Sequence, residues 1–253
     1  MTRSRKPKAG PATESHNGDR IADLAYRRME TMFVTGEFVP GSMITEGYIG
    51  EVLKLGRAPV RDAIKRFEAA GLLGPLHPTG TRGAGRDAWG HLHRLGAREP
   101  LEVVVVTTAA LRATDEERQV FLRCAGMFNE AIVERSREKV IAADFQYKTA
   151  MLAATRNQYL RNIIGPIHIL SRRFWNMNAN YENNPDAMTT VCELHIRINT
   201  AVASGDTEAA QHAVREFIAF LRTYVRGVWE RGFIEAGQIS AAGRKERRKA
   251  PTD

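Results

Sequence analysis

Cysteine is scarce: Cys124 and Cys192 stand alone, with no CxxC spacing between or around them. That excludes a paired-thiol motif and points to a reducing, cytoplasmic setting. Long apolar runs are missing too. No stretch approaches the roughly 20 apolar residues that a bilayer-spanning helix needs. The basic opening MTRSRKPKAGPATES has no apolar segment behind it to serve as a secretory signal. Acidic residues are in deficit, 29 against 37 Lys and Arg, for a formal charge of +8, which favours a polyanionic partner. Part of that excess lies in two tails, RSRKPK and GRKERRK, whose simplest reading is solvated disorder. Enzyme signatures are also absent: no Walker loop, no GxSxG and no HExxH occurs. The glycines of GTRGAGRD are not followed by an apolar helix of the dinucleotide-binding type.

What is present is helical periodicity. Residues 1–17 lack any period and read as a disordered basic lead-in. From Asp19 the apolar residues Ile21, Leu24, Ala25, Met29, Met32 and Phe33 recur at three- and four-residue steps, which predicts an amphipathic helix. Gly36 stops it and FVPG turns the chain. A second short helix is expected from about Thr45 to Leu53, with Thr45 as its N-cap. LKLGRAPVRDAIKRFEAAGLL supplies a third, and the Gly- and Pro-rich LLGPLHPTGTRGAG suits a small two-stranded ribbon. Together these make one compact unit over 18–84. Residues 85–97 read as a linker, with His91 and His93 solvated. Helix then follows helix over 98–234. Pro100 sits in a first turn, and a capping box of Thr114 and Glu117 opens a helix to about Arg135. Further helices are expected at about 138–155, 157–180, 187–203 and 207–232. VVVV at 103–106 favours strand locally, but its helical neighbours outvote it. Residues 235–253 form a second basic tail, expected to be disordered. No internal repeat occurs.

In the third helix, Val60, Ile64 and Phe67 fall on one stripe, the expected buried face. Arg57, Arg61 and Lys65 form their own i, i+4 row on another face. Stacked like charges cost about a few tenths of a kcal/mol per pair, which makes sense if phosphates or guanine edges lie opposite. Pro59 presets the helix start, Gly56 permits a close approach from the preceding helix, and Gly71 ends it. A solvated basic face is the plain alternative. The short helix before it, the proline start and the glycine-rich ribbon favour DNA, with the N-terminal end of this helix aimed at the major groove.

ITEGYIGEVLKLGRAPVRDAIKRFEAAGLL, with FVPGSMI before it, resembles the winged helix-turn-helix of the GntR regulator family over residues 19 to about 84. The resemblance implies that Arg57 and Arg61 contact DNA at the head of the recognition helix, with Thr45, Ala58 and Lys65 beside them. It implies that the ribbon tip, Gly80, Thr81 and Arg82, enters the adjacent minor groove. Gly47 stands where the family often has arginine, and Gly56 replaces the usual serine, so operator preference does not carry over.

The second half is similar to the FCD branch of that family, an all-helical effector-binding and dimerising domain. AREPLE with Arg98, Leu101 and Glu102, ATDEE, DFQYKTAMLAATRNQYL and ELHIRINTAVASGDTEAA carry the likeness in order. The implied fold class is mostly α: a winged helix-turn-helix with a small β wing, followed by an antiparallel helical bundle. In most of this branch one Asp and three His hold a divalent metal that orients a carboxylate effector. Here Asp144 and His195 keep two of those positions, while Lys148 and Phe217 replace the other two histidines. An ammonium has no lone pair to give and phenylalanine has no donor. Two ligands are too few for a tightly held Zn²⁺, Ni²⁺ or Mn²⁺. The usual metal is therefore expected to be absent or weakly held, with no other cofactor. Instead Asp144 and Lys148, i, i+4 on one helix, are expected to pair where the metal would sit, with His195 adding a hydrogen bond. Lys148 then anchors an acidic effector with help from Arg98 or His195, and Asn199 joins the candidate set. The plain alternative is that Lys148 snorkels out, Asp144 is a local cap and His195 is a satisfied core histidine. RRFWNMNANYENN, residues 172–184, adds groups able to line a pocket, although Phe174 and Trp175 are more readily core.

These readings converge on a cytoplasmic transcription regulator, a repressor dimeric through its helical domains, that presents two recognition helices to a palindromic operator. An organic acid or acyl compound would shift the population of head placements. The expected partners are duplex operator DNA, that effector and a second copy of the chain, with no membrane. A metabolite-independent architectural DNA binder would explain the charge but not the helical half. An enzyme built on the helical half has no specific signature.

Overall fold

The computed structural model describes residues 11–39, 41–74, 81–82 and 88–249, and the side chains of residues 20–39, 41–74 and 88–231. The chain divides into two compact units, Met1–Arg86 and Asp87–Asp253.

The first unit contains α1 (Pro11–Thr35), β1 (Met43–Ile44), α2 (Glu46–Leu53), α3 (Arg57–Ala69) and β2 (Thr81–Arg82). Helix α1 begins at Pro11, inside the segment expected to be disordered. Its apolar stripe buries Ala25, Met29, Met32 and Phe33 against α3, whose Val60, Ile64 and Phe67 are fully buried. The rings of Phe33 and Phe67 meet edge-on at 5.9 Å. Thr45 caps α2 by accepting the amide of Tyr48. Gly71, at φ +67°, takes the left-handed conformation that terminates α3 and which a side chain would strain. The strand β2 pairs antiparallel with β1, Met43 opposite Arg82 and Ile44 opposite Thr81. This ladder ties β2 to the segment before α2, and most of the expected ribbon over 72–84 lies outside the described residues.

The second unit is a bundle of α4 (Ala88–Arg112), α5 (Asp115–Val133), α6 (Arg137–Ala154), α7 (Gln158–Asn178), α8 (Pro185–Ser204) and α9 (Thr207–Lys249). Five short connections join these six helices. The capping box at Thr114 is present in full, with Glu117 reaching back to the Thr114 amide. Ser136 and Asn157 cap α6 and α7, and Gly205 at φ +77° ends α8. Helix α4 packs on α9, and α5 on α6 and α8. Residues 88–97 are the first turns of α4 rather than a linker, so Pro100 lies inside a helix and not in its first turn. The physical reason is burial: His91, Leu95, Arg98 and Glu102 lie on one face, all buried, and that face outweighs the local break signals of Gly96 and Pro100. Residues 103–106 are helical, and α9 continues to Lys249, through most of the expected C-terminal tail.

Candidate functional site

Two faces bring the predicted residues together. In the first unit Arg57, Ala58, Arg61 and Lys65 are exposed along α3, opposite its buried stripe, and Thr45 is exposed at the head of α2. Arg61 is not a bare cation. Its Nε and Nη2 donate to the two carboxylate oxygens of Glu46, at 2.7 and 2.9 Å, and this hydrogen bonding holds the Glu46 carboxyl below its ordinary range. The Arg61 side chain remains 56% exposed, so water and salt screen the pair and a phosphate can compete for it. Gly80 lies outside the described residues. Thr81 and Arg82 are placed only as the strand β2.

In the helical unit a partly open cavity lies between helices α4 to α9. Arg98, Asp144, Lys148, His195 and Phe217 all line it. The expected Asp144–Lys148 pair is replaced by two others. Lys148 Nζ donates to Glu102 Oε1 at 3.2 Å, and Asp144 Oδ2 accepts from Arg172 Nε at 2.5 Å. Glu102, fully buried on α4, is the hub. Its Oε1 also takes Arg98 Nη2 at 2.6 Å and meets His168 Nε2 at 2.9 Å. Burial alone would raise the Glu102 pKa, but Lys148, His168 and Arg98 overcome it and hold it well below the usual value. Burial pulls Lys148 down to about 8, against the pull of Glu102.

His195 is stacked on Phe128 at 4.6 Å and edged by Tyr147 and Phe217. Its Nδ1 meets the Val191 carbonyl at 2.7 Å, which fixes the proton there and leaves Nε2 a lone pair without a hydrogen-bond partner. Burial lowers its pKa to about 4. Asn199 is corrected out of the cavity. It is fully buried one turn beyond, donates to the His195 carbonyl at 2.8 Å, and does not line the cavity. His91 is likewise not solvated: it is buried, lines the cavity and stacks on Phe174 at 4.3 Å, whereas His93 is exposed. Phe174 and Trp175 line the cavity as well. Sequence reasoning missed Glu102, His168 and Arg172 as site residues. The i, i+4 spacing of Arg98 and Glu102 was the available signal for the first.

Both units have known counterparts. Residues 21–82 match the bacterial regulatory proteins of the gntR family, and residues 94–220 match the FCD domain. The chain belongs to the gntR family. A relative from Bacillus subtilis (strain 168), the uncharacterized HTH-type transcriptional regulator YdhC, is 25% identical over 197 residues, 76% of this chain and 85% of that protein. Among solved structures, E. coli McbR/YncC superposes with a TM-score of 0.70 at 15% identity, covering 83% of this chain and 98% of its own. A transcriptional regulator GntR from Rhodococcus sp. RHA1 superposes at 0.61 and 16%, covering 84% and 98%. These two share the fold. This gntR-family chain is a transcriptional regulator with a DNA-binding helix-turn-helix unit and an FCD effector-binding domain, and not an enzyme.

The divalent metal that FCD domains commonly hold does not fit the residues present. Asp144 Oδ1 and His195 Nε2, 3.7 Å apart, offer two donors, but Arg172 already occupies the carboxylate. Lys148 and Phe217 line the same cavity with a cation and a ring. Among the described residues no group of three His, Cys, Asp or Glu side chains is placed to hold a metal ion. Nor is any described helix long and apolar enough to cross a membrane.

Proposed function

We propose that this chain is a cytoplasmic repressor that binds a palindromic operator as a homodimer and releases it when a small acidic metabolite enters the FCD cavity. The observation that carries this reading is the cavity itself. Three cationic side chains, Arg98, Lys148 and Arg172, line it against a single lining carboxylate, Asp144. Buried there without hydrogen-bond partners are His91 Nδ1, Ser171 Oγ and His195 Nε2. Unpaired buried polar atoms are costly, and a polar ligand would satisfy them. On the DNA side, Arg57, Arg61 and Lys65 on α3 would meet the major groove, with Ala58 and Thr45 beside them. Gly80, Thr81 and Arg82 would reach the minor groove. One winged helix reads few base pairs, so a two-fold pair of heads on a two-fold operator supplies the specificity.

The test selects a short operator from random duplexes and titrates organic acids and acyl compounds against the retarded complex. A steep preference for one palindrome, relieved by a particular acid, supports the reading. Equal affinity for random DNA, or an affinity that no acid alters, would sink it.

A further inference from the structure

Two contacts fix how α4 and α7 run past each other. His168 Nε2 meets Glu102 Oε1 at 2.9 Å, and further along α7 the Phe174 ring stacks on His91 at 4.3 Å. The two helices are therefore antiparallel, and the cavity that they line has two ends. Arg98 and Lys148 line it near Glu102, to which both are bonded. His91, Phe174 and Trp175 line the other end, with Ser171 one turn before Trp175 on α7. A rise of about 1.5 Å per residue puts His91 roughly 10 Å along α4 from Arg98, about the reach of an extended octanoate chain. Val140, Ile141, Leu221 and Val225 also line the cavity and suit an aliphatic spacer.

The far end is polar, and its polar atoms are idle. His91 is 2% exposed and Ser171 5%, yet His91 Nδ1 and Ser171 Oγ have no hydrogen-bond partner, and neither has Trp175 Nε1. A hydroxyl inside a helix ordinarily turns back to the carbonyl four residues earlier, as those of Thr107, Thr149 and Thr190 do. Ser171 does not. Burial keeps the His91 imidazole neutral by lowering its pKa to about 3. An indole N–H only donates, whereas a serine hydroxyl and a neutral imidazole donate or accept. Such a set suits an uncharged oxygen. A second carboxylate would lose its hydration there, with no cation among His91, Ser171, Phe174 and Trp175 to replace it. His91 also precedes residues 94–220, the stretch that matches the FCD domain, so the family pattern does not supply it. We propose that His91 and Ser171 form a second subsite of the cavity, which takes an uncharged oxygen, hydroxyl or carbonyl, at the effector's end away from its acid group. This rests on the effector-responsive reading above, with the acid at Lys148 and Arg98, and narrows it to an acid with a neutral polar far end.

The experiment titrates the full-length protein calorimetrically with octanoate, ω-hydroxyoctanoate and octanedioate. Butanoate and ω-hydroxybutanoate serve as a pair too short to bridge the two ends. ω-Hydroxyoctanoate should bind at least about tenfold more tightly than octanoate or octanedioate, and the short pair should not differ. In Ser171→Ala with His91→Phe, which keeps an aromatic ring against Phe174, octanoate and ω-hydroxyoctanoate should bind alike. Circular dichroism checks the fold of that variant. Ser171→Ala alone gives a measurement without ligand: deleting an idle buried hydroxyl should leave the melting temperature level or higher. Equal affinities of octanoate and ω-hydroxyoctanoate, or no binding of either, overturn the proposal. So do tighter binding of octanedioate, an equal hydroxyl gain in the short pair, an advantage that survives in the folded double variant, or a lower melt for Ser171→Ala. The effector-responsive reading fails separately, if ω-hydroxyoctanoate binds as expected yet neither it nor any other acid releases the operator.

Discussion

Glu102 concentrates three donors on one buried oxygen, Oε1, and leaves Oε2 with none. Glu102→Gln keeps the shape but strips Arg98 and Lys148 of their shared counter-ion. Removing one partner of a buried ion pair costs about 3–5 kcal/mol. We expect a drop of that order in unfolding free energy, read as a lower urea midpoint at unchanged m-value. Adding Lys148→Met should restore part of it by removing an unpaired ammonium, and a purely additive double variant would show that the pair is not the cause.

Titration makes a second prediction at the residue scale. Burial lowers His91 to about 3 and both His168 and His195 to about 4, from an ordinary 6.5. The unfolded chain therefore takes up protons first as pH falls below about 6.5, and stability drops from there. The slope should approach on the order of 4 kcal/mol per pH unit near pH 5, where all three differ. Above about 8 the same sign recurs from a different group: folded Lys148 sheds its proton before unfolded lysine does, so stability rises with pH toward 10.5. Urea midpoints at a series of pH values check both arms, and a flat profile between pH 7 and 5 would contradict the buried neutral imidazoles. Arg98, Asp144, Lys148 and His195 were legible because they sit at motif spacings along single helices. Their partners were not, because Lys148 meets a residue 46 positions away and Asp144 one 28 away. Only the packing of α4, α6 and α7 decides such pairings.

At the scale of elements, α3 separates two jobs by face. Ile64 is fully buried and Arg57 is exposed. Ile64→Ala should cost the first unit about 2–5 kcal/mol and raise its sensitivity to protease. Arg57→Ala should leave the melt unchanged but weaken operator binding and lower the salt slope by about 1. Between these lies Glu46, whose carboxylate holds Arg61. Glu46→Gln removes a negative charge that phosphates would repel and frees the guanidinium, so operator affinity should rise. A fall instead would mean that Glu46 positions Arg61 for its contact. Helices with their own caps, such as α2 and α5, could be read from the sequence because the stop and start signals are local. The start of α4 could not: Gly90, Gly96 and Pro100 punctuate it, and only the buried face of His91, Leu95, Arg98 and Glu102 keeps it helical. The β1–β2 ladder was missed for a related reason, since two-residue strands carry no period and their pairing is a tertiary choice.

For the molecule as a whole, the two-part plan was legible because a basic winged helix and a periodic helical half differ so plainly in composition and pattern. The coupling between an effector cavity in one unit and a DNA face in the other is not a property of either pattern. If the two are linked thermodynamically, the linkage is reciprocal. An acid that lowers operator affinity by some factor must itself bind operator-loaded protein more weakly by the same factor, typically about 5–150-fold. A carboxylate is also an anion, and anions weaken protein–DNA binding by screening, with no cavity involved. The two origins part company at high concentration. Cavity-mediated release levels off once the site is full, at a finite residual operator affinity, whereas screening keeps growing with ionic strength and is matched by chloride. Titrating octanoate against free and operator-bound protein at constant ionic strength should give equal factors in the two directions and a plateau. In Lys148→Met, whose DNA face is untouched, both the factor and the plateau should vanish while the chloride dependence stays as it was. Release by octanoate that survives that substitution would place its action at the exposed cations of α3 instead.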